Sequence, residues 1–558
     1  MNFSSRSNLD FRLDREENPS ARDSARPFLG YSKASCLNNR NAQKGNNMRP
    51  ARVARLVRLR HVTAKLIHMF AVTLLAMSCA SLAQTLTPLV NQPPDYIDLT
   101  FQLTDGTVLA QGYFFYDWWK LTPDINGSYV NGTWTQVASL PSSYAPYAFA
   151  SAVLADGRVI VEGGEYSGPA ENFTLTNRGA IYDPVSNTWT KVDAPAGWDY
   201  IGDSPSVVLP NGNYLLGQKL TKRMSALDPK TLQWTEVGST GKSDFNAEEG
   251  WTLLGNGTIL TNDVKNAPNS EIYHPAAGEW TSAGSTIVDL HSPTDVVGCI
   301  PFGPHGSNCY YPPGEIGPQI LRPDGTVFAT GSYSNNDFYS PGHTAIYNSL
   351  TGTWTVGPDF PAEDNAGDSF AVLLTSGNVL VEGANTGNGY EFDGTNFTLT
   401  APFVYLGSLM VLPTGEVLAG GPLTQTYTSA GTYHASWAPA IVVYPQIVCR
   451  GTTYQIGGTQ FNGLSQAAAF GDELQTATNY PLVRITNNQT NHVFYAKTHD
   501  HSTMGVATGT AIVWTNFDVP VAMETGGSSL QVVANGIPSV AASITVAAQG
   551  SFGCPWLQ

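Results

Sequence analysis

LADGRVIVEGG, residues 154–164, followed by AIYDPVSNTWT at 180–190, decides how this chain reads. A tight turn ending at Gly157 joins a short apolar run to an alternating apolar strand. A later strand then carries an aromatic pair, Tyr182 and Trp189. Glycine at the turn, Asp beside it and alternation after it are the signals of a β-hairpin.

The first element recurs six more times: LTDGTVLAQG (103–112), LPNGNYLLG (209–217), LGNGTILT (254–261), LRPDGTVFATG (321–331), LTSGNVLVEG (374–383) and LPTGEVLAGG (412–421). The second recurs as ALDPKTLQWT, EIYHPAAGEWT, AIYNSLTGTWT and YEFDGTNFTLT, with GSYVNGTWT as a looser first version. The turn glycines Gly106, Gly157, Gly212, Gly257, Gly325, Gly377 and Gly415 are spaced by 51, 55, 45, 68, 52 and 38 residues. A period near 50, with an early hairpin and a late aromatic strand, predicts four-stranded blades in a ring. No blade buries both of its faces alone, and neighbours in a ring bury each other's.

These hairpins, with the YDP…TW strands after them, resemble kelch repeats and cover roughly residues 95–440. The stretch that follows, from APAIVVYPQIVCRGTTYQIGGTQFNG to LQVVANGIPSVAASITV, is similar to the early-set immunoglobulin-like domain behind the propeller of galactose oxidase and glyoxal oxidase. The expected fold is therefore all-β: a seven-bladed kelch-type β-propeller over 84–440, then an Ig-like β-sandwich over 441–558. In those oxidases two tyrosines and two histidines hold copper, and one tyrosine is cross-linked to a cysteine. Here the Tyr-His pair is Tyr433-His434, with no hairpin after it and no suitably placed cysteine, so a copper-radical site is not expected. The family's terminal domain also sends a hairpin up the propeller channel with a metal-binding histidine. The segment HVFYAKTHDHSTMGVATG resembles that hairpin and offers His499 and His501, which share one face on a strand.

Composition agrees with this architecture. The chain has 558 residues, 55 of them Gly and 36 Pro, which suits short strands and tight turns. Residues 1–47 are polar and aperiodic, and read as a disordered extension or a stretch upstream of the true start at Met48. From Met48, five arginines and a lysine precede an apolar run ending in Ser81-Leu82-Ala83, the pattern of a signal peptide over 48–83. Export to the cell surface, the periplasm or the medium is expected, with no membrane span in the mature chain. Fourteen of the 28 Lys+Arg and five of the 44 Asp+Glu precede residue 84, so the mature part carries 14 basic against 39 acidic groups, −25. Such a surface repels phosphate backbones and argues against a nucleic-acid partner. Four cysteines remain, and an exported chain favours disulfides Cys299–Cys309 and Cys449–Cys554, with free buried thiols as the alternative.

Counting back nine residues from the turn glycines gives Asp203, Glu248 and Asp368, and Glu315 joins them once the extra residue of LRPDG is allowed for. Counting back thirteen gives Asp199, Asp244 and Asp364. All precede the innermost strand of a blade, and equivalent positions in a ring converge. Converging carboxylates repel unless a cation or hydrogen-bond donors compensate. The alternative is that each caps a turn in its own blade.

With His499 and His501, the group Asp203, Glu248, Glu315 and Asp368 would suit Zn, Mn or Fe, whereas carboxylates alone favour Ca or Mg. A divalent metal ion is thus the candidate cofactor, although no motif names one. The chain has no P-loop, GxSxG, HExxH or CxxC metal spacing. The expected function is binding of a cation or a small polar, carbohydrate-like ligand at an acidic channel mouth, with metal-assisted carbohydrate chemistry as its enzymatic form. A non-catalytic adhesion module is the alternative, with sugar stacking on the aromatics of YFFYDWWKLTPD and GSYSNNDFYSPG; a galactose oxidase-like copper oxidase ranks below both. The insert between Cys299 and Cys309 is expected to overhang the mouth.

Overall fold

The computed structural model describes residues 84–558 apart from 114, 168–171, 174, 294–297, 302–306, 311–313, 362, 401–402, 404–406, 472, 552 and 555–558. For 172–173, 298–301 and 307–310 the backbone alone is described. The extension 1–47 and the leader 48–83 therefore lie outside it. Among the described residues the helical element is a single 3-10 turn, Ala435–Trp437. No helix there is long and apolar enough to cross a membrane.

Seven antiparallel sheets form the ring, one for each turn glycine; six are four-stranded, and the sixth blade's four strands are joined by a fifth from the C-terminal part. The second blade runs Ala150–Val153, Val159–Glu162, Arg178–Asp183, Thr188–Asp193, and the others repeat this order. The seventh differs. Its inner three strands are Leu409–Val411, Val417–Ala419 and Gln425–Thr428, and its outer strand is Thr85–Pro88 from the start of the described chain, with Thr85 opposite Thr428 and Pro88 opposite Gln425. The ring is thus closed by an N-terminal strand.

Each hairpin has the same local cause. All seven turn glycines sit at φ between +80° and +89°, where a side chain would be strained. In the second blade Gly157 N–H donates to Leu154 O at 2.9 Å, and Asp156 Oδ1 accepts from Arg158 N at 3.1 Å. Inner strands are wholly buried, whereas outer strands such as Thr133–Gln136 are largely exposed. Aromatic pairs fill the widening wedge between blades: Tyr182 with Trp189 at 5.2 Å, Tyr273 with Trp280 at 5.1 Å, Tyr347 with Trp354 at 5.0 Å. Fully burying one such side chain contributes roughly 1.5–3 kcal/mol.

The C-terminal part is a β-sandwich. Val493–His499 pairs with Leu482–Asn487 through its first half and with Ile512–Asp518 through its last residues, so it bends between two sheets. Ile456, Phe461, Val483, Phe517, Val532 and Ile544 fill the space between them. Cys449 and Cys554 are bonded, with Cα atoms 5.6 Å apart. The expected Cys299–Cys309 bond falls outside the described side chains, although the backbone register sets Cys299 opposite Cys309.

The sandwich docks on the face where the inner hairpins turn. Thr498 N donates to Thr104 O at 3.1 Å, and Met504 N to Pro210 O at 3.0 Å. From the same domain a small-residue segment enters the channel. Ala468–Ala469 pairs antiparallel with Ala371 and Val372 of the sixth blade, and Gln466 Oε1 accepts from Leu253 N at 2.7 Å. Gln475 O accepts from Ser151 Oγ at 3.0 Å, and Tyr480 OH donates to Gln102 O. SQAAAFGDELQTATNY, not HVFYAKTHDHST, is the channel segment. Alanine and glycine let its backbone lie against the inner strands, where Phe470 packs on Phe370 at 4.8 Å.

Candidate ligand-binding site

Inner strands run from the open face of the ring toward the sandwich, so residues just before them gather at the open end. Asp203 stands three residues before Ser206–Val208, Glu248 four before Thr252–Leu253, Glu315 next to Ile316–Leu321, and Asp368 three before Ala371–Leu373. Between the first two lies an ammonium that the sequence reading did not foresee. Lys219 Nζ is 2.5 Å from Asp203 Oδ2 and 2.7 Å from Glu248 Oε1, and its side chain is 4% exposed. Lys219 N donates to Ile201 O at 3.0 Å, which holds the lysine against the third blade.

Glu165 and Tyr166 complete the group. Tyr166 opens a short extra strand, Tyr166–Ser167, that pairs with Pro146–Tyr147, and Glu165 stands just before it. Burial, then Asp203, push the Glu165 carboxyl well above its usual range, with Lys219 opposing and Glu248 and Asp368 adding. Asp203 is pushed up to about 6, first by burial, with Lys219 opposing and Glu248 raising it. The Tyr166 phenol is raised by burial, then by Glu165, Asp203 and Glu315. These mutual effects make Glu165, Asp203, Glu248, Glu315 and Asp368 one electrostatic group. Within it Asp203 Oδ1 is buried and has no hydrogen-bond partner among the described residues.

The positions thirteen before the glycines behave otherwise. Asp244 is buried, accepting from Phe245 N at 2.8 Å, Asn266 N at 3.1 Å and Lys265 N. Asp364 is likewise buried and accepts from Asn365 N, Asn385 N, Thr386 Oγ1 and Tyr390 OH. Both cap turns of their own blades, which corrects their reading as ligand-binding groups. Asp199 is exposed.

The histidines also stand elsewhere. His499 lies between Asp500, at 2.7 Å, and Asp518, at 3.3 Å; His501 Nδ1 faces Thr515 Oγ1 at 2.9 Å. Both flank the segment docked on Thr104 and Pro210, across the inner strands from the carboxylates. Burial, then His499, hold the His501 imidazole down at about 3, so it is neutral. The channel segment also carries Glu473, which is buried. Two residues before it, Gly471 abuts Ile316 O and Asp368 N. His291, at the base of the cysteine insert, has Nε2 3.3 Å from Glu248 O. Ser292 N donates to Glu315 O at 2.9 Å, so the insert's described base borders the mouth.

Aromatic side chains line one approach. Ring centres step from Tyr96 to Tyr113 at 5.9 Å, to Phe115 at 6.2 Å, to Tyr147 at 4.7 Å and to Tyr166 at 6.0 Å. Phe115 is buried beneath the half-exposed tyrosines. Trp118, expected on a stacking surface, is fully buried in the blade core against Phe101 and Trp189. Tyr339 and Phe338 of the other aromatic loop are exposed.

His434 stacks on Trp437 at 4.6 Å, and Trp437 covers the Gly377 turn on the sandwich face, away from the carboxylates. Among the described residues no group of three or more His, Cys, Asp or Glu side chains is placed to hold a metal ion.

Fold and site together define a seven-bladed kelch-type β-propeller with a β-sandwich on its turn face and a lysine-bridged carboxylate group at its open end. No protein-family profile matches the chain. A Kelch-like protein of Aspergillus terreus, terF, is 28% identical over 88 residues, 16% of this chain and 18% of that protein's length. Among solved structures, a fungal alcohol oxidase of the AA5 family in complex with copper is similar at 14% identity and a TM-score of 0.43, covering 83% of this chain and 98% of the oxidase. The extracellular domain of a putative hybrid two-component system of B. thetaiotaomicron is similar at 9% identity and a TM-score of 0.41, covering 84% of this chain and 60% of that one. Neither likeness bears on activity.

Proposed function

We propose that this chain is an exported propeller protein that takes a small polar ligand, a cation or a carbohydrate-like polyol, at the carboxylate group of its open end. One observation carries the reading: among the described residues Asp203 Oδ1 is a buried acceptor without a donor, in a group where Asp203 and Glu248 share the Lys219 ammonium. Leaving such an atom unsatisfied costs about 1–3 kcal/mol, and more when it is charged. The half-exposed tyrosines give a polyol faces to stack on. Two carboxyls with raised pKa values, Glu165 and Asp203, suit proton transfer, which supports carbohydrate chemistry as the enzymatic form of the reading.

The cationic form of this reading is a divalent ion held by Asp203, Glu248, Glu315 and Asp368, which would have to displace the Lys219 ammonium. An adhesion module, using the aromatic rim alone, is the competing class. Thermal shift of the purified protein against sugars, polyols, amines and Ca, Mn and Zn, beside metal analysis by plasma mass spectrometry, separates them. The reading expects stabilisation by polar organic ligands that vanishes in Asp203→Asn. Stoichiometric metal in the wild type, lost in Asp203→Asn, would make the occupant the divalent ion rather than a polyol. Sugar binding that survives Asp203→Asn would replace it with adhesion.

A further inference from the structure

We propose that Gln84 is a modification site: leader removal after Ala83 makes it the amino terminus, where it cyclises to pyroglutamate and caps the strand that closes the ring. This goes beyond the ligand site and rests only on the export part of the reading above. Two observations meet at this residue. Ser81-Leu82-Ala83 sets small side chains at the two positions that signal peptidase inspects, which puts the cut directly before Gln84. The closing strand Thr85–Pro88 begins at the next residue, with Thr85 already opposite Thr428.

The chemistry needs no second reactant. In the precursor the Gln84 nitrogen is a peptide amide and does not attack. Cleavage turns it into an α-amine, whose ordinary pKa of about 7.7–8.0 leaves a share of it neutral and nucleophilic at neutral pH. That nitrogen attacks Cδ of its own side chain: the N–Cδ bond closes a pyrrolidone ring, the Cδ–Nε2 bond breaks, and Nε2 leaves as ammonia with the proton the amine gives up. Nothing is oxidised or reduced. Gln84 lies outside the paired strand and is partly exposed, so closing the ring disturbs none of the pairs from Thr85 to Pro88.

What the cap protects follows from the topology. Thr85–Pro88 is the outer strand of the seventh blade and the link from that blade to the first. Thr85, Thr87 and Pro88 are exposed. An aminopeptidase that removed a free Gln84 would reach Thr85 and Leu86 next, and with them the pairs to Thr428 and Tyr427 that hold the ring shut. A pyroglutamyl end has no primary amine for such an enzyme to grip.

The full chain, expressed with its own leader in an exporting host, tests this. Free amines of the exported protein are acetylated before digestion, which marks any uncyclised terminus, and the N-terminal peptide is read by mass spectrometry. The expected peptide starts at residue 84, is lighter by one ammonia and carries no acetyl group at its terminus. Incubation with a broad-specificity aminopeptidase should leave the melting temperature unchanged, whereas Gln84→Ala should lose residues from 84 onward and melt progressively lower. A terminus at residue 84 that stays an acetylatable amine after prolonged storage at neutral pH overturns the cyclisation and leaves export standing. A cut at another position overturns the modification site, again without touching export. A chain that keeps its leader and stays inside the cell overturns the site and export together. Gln84→Ala that withstands the aminopeptidase overturns the protective role.

Discussion

Lys219 is the residue on which the charge balance of the open end turns. Its side chain is nearly enclosed and bridges two carboxylates from different blades. Lys219→Met keeps the volume and strands both acids, so a loss of about 3–5 kcal/mol in urea unfolding is expected at pH 8. The loss should shrink at pH 5, where Asp203 takes up a proton instead. Asp203 itself gives a signed pH dependence. Its folded pKa, about 6, lies above the ordinary 3.8, so the folded chain holds this proton more tightly than the unfolded one. The ionised form therefore weakens the fold progressively from about pH 4 to about pH 6, and the cost is complete above that. Subtracting the stability profile of Asp203→Asn from that of the wild type should expose a decline over this window; a flat difference would refute the assigned environment. Asp364 belongs to a different category. It satisfies two backbone amides and two hydroxyls, so Asp364→Ala should cost about 3 kcal/mol or more in stability, with ligand affinity of the folded protein unchanged.

Hairpins carry the next scale. Their glycines are needed for positive φ, and replacing Gly257 by Ala should cost about 1 kcal/mol from backbone strain alone. Gly106→Ala should cost more, because its new Cβ would meet the Tyr495 ring of the docked sandwich. Melting temperatures of the two variants rank the effects directly. The hairpin also explains what could have been read and was not. A strand that leaves the open face is followed, after the turn, by one that returns to it. Residues seven or eight after a turn glycine therefore come back to the level of those nine before it. That second count gives fourteen positions, among them Glu165 and Lys219, which are central to the group. Position −9 was legible because it registers across blades. Position −13 registers equally well yet leads to capping, since the burial that separates the two is not a property of spacing.

At the scale of the whole molecule, closure and docking dominate. Thr85–Pro88 completes the seventh blade, so deleting it should open the ring and lower the melting temperature far more than removing four residues from an exposed loop. The bond between Cys449 and Cys554 spans 105 residues and encloses the sandwich together with the channel segment. Reduction should cost about 2–5 kcal/mol, and ligand binding should weaken with it because the segment ending near Asp368 loses its anchor. Persistence of full affinity in the reduced protein would separate the segment from the site.

The repeat and the blade number follow from the sequence itself, and so does the placing of Asp203 and Glu248 just before inner strands of neighbouring blades. Recurrent turn glycines impose hairpins, and hairpins recurring about every 50 residues, each unable to bury both faces alone, favour a ring. The identity of the channel segment, the lysine between the acids and the separation of His499 and His501 from them were decided by tertiary structure. A Thr-His pair on a strand has no local mark that tells one face of the propeller from the other. The segment SQAAAFGDELQ lacks the apolar alternation of a strand, and its place is set by inner strands drawn from blades far apart in the chain. Which charges meet in the centre depends on contacts across hundreds of residues, and no local propensity encodes them.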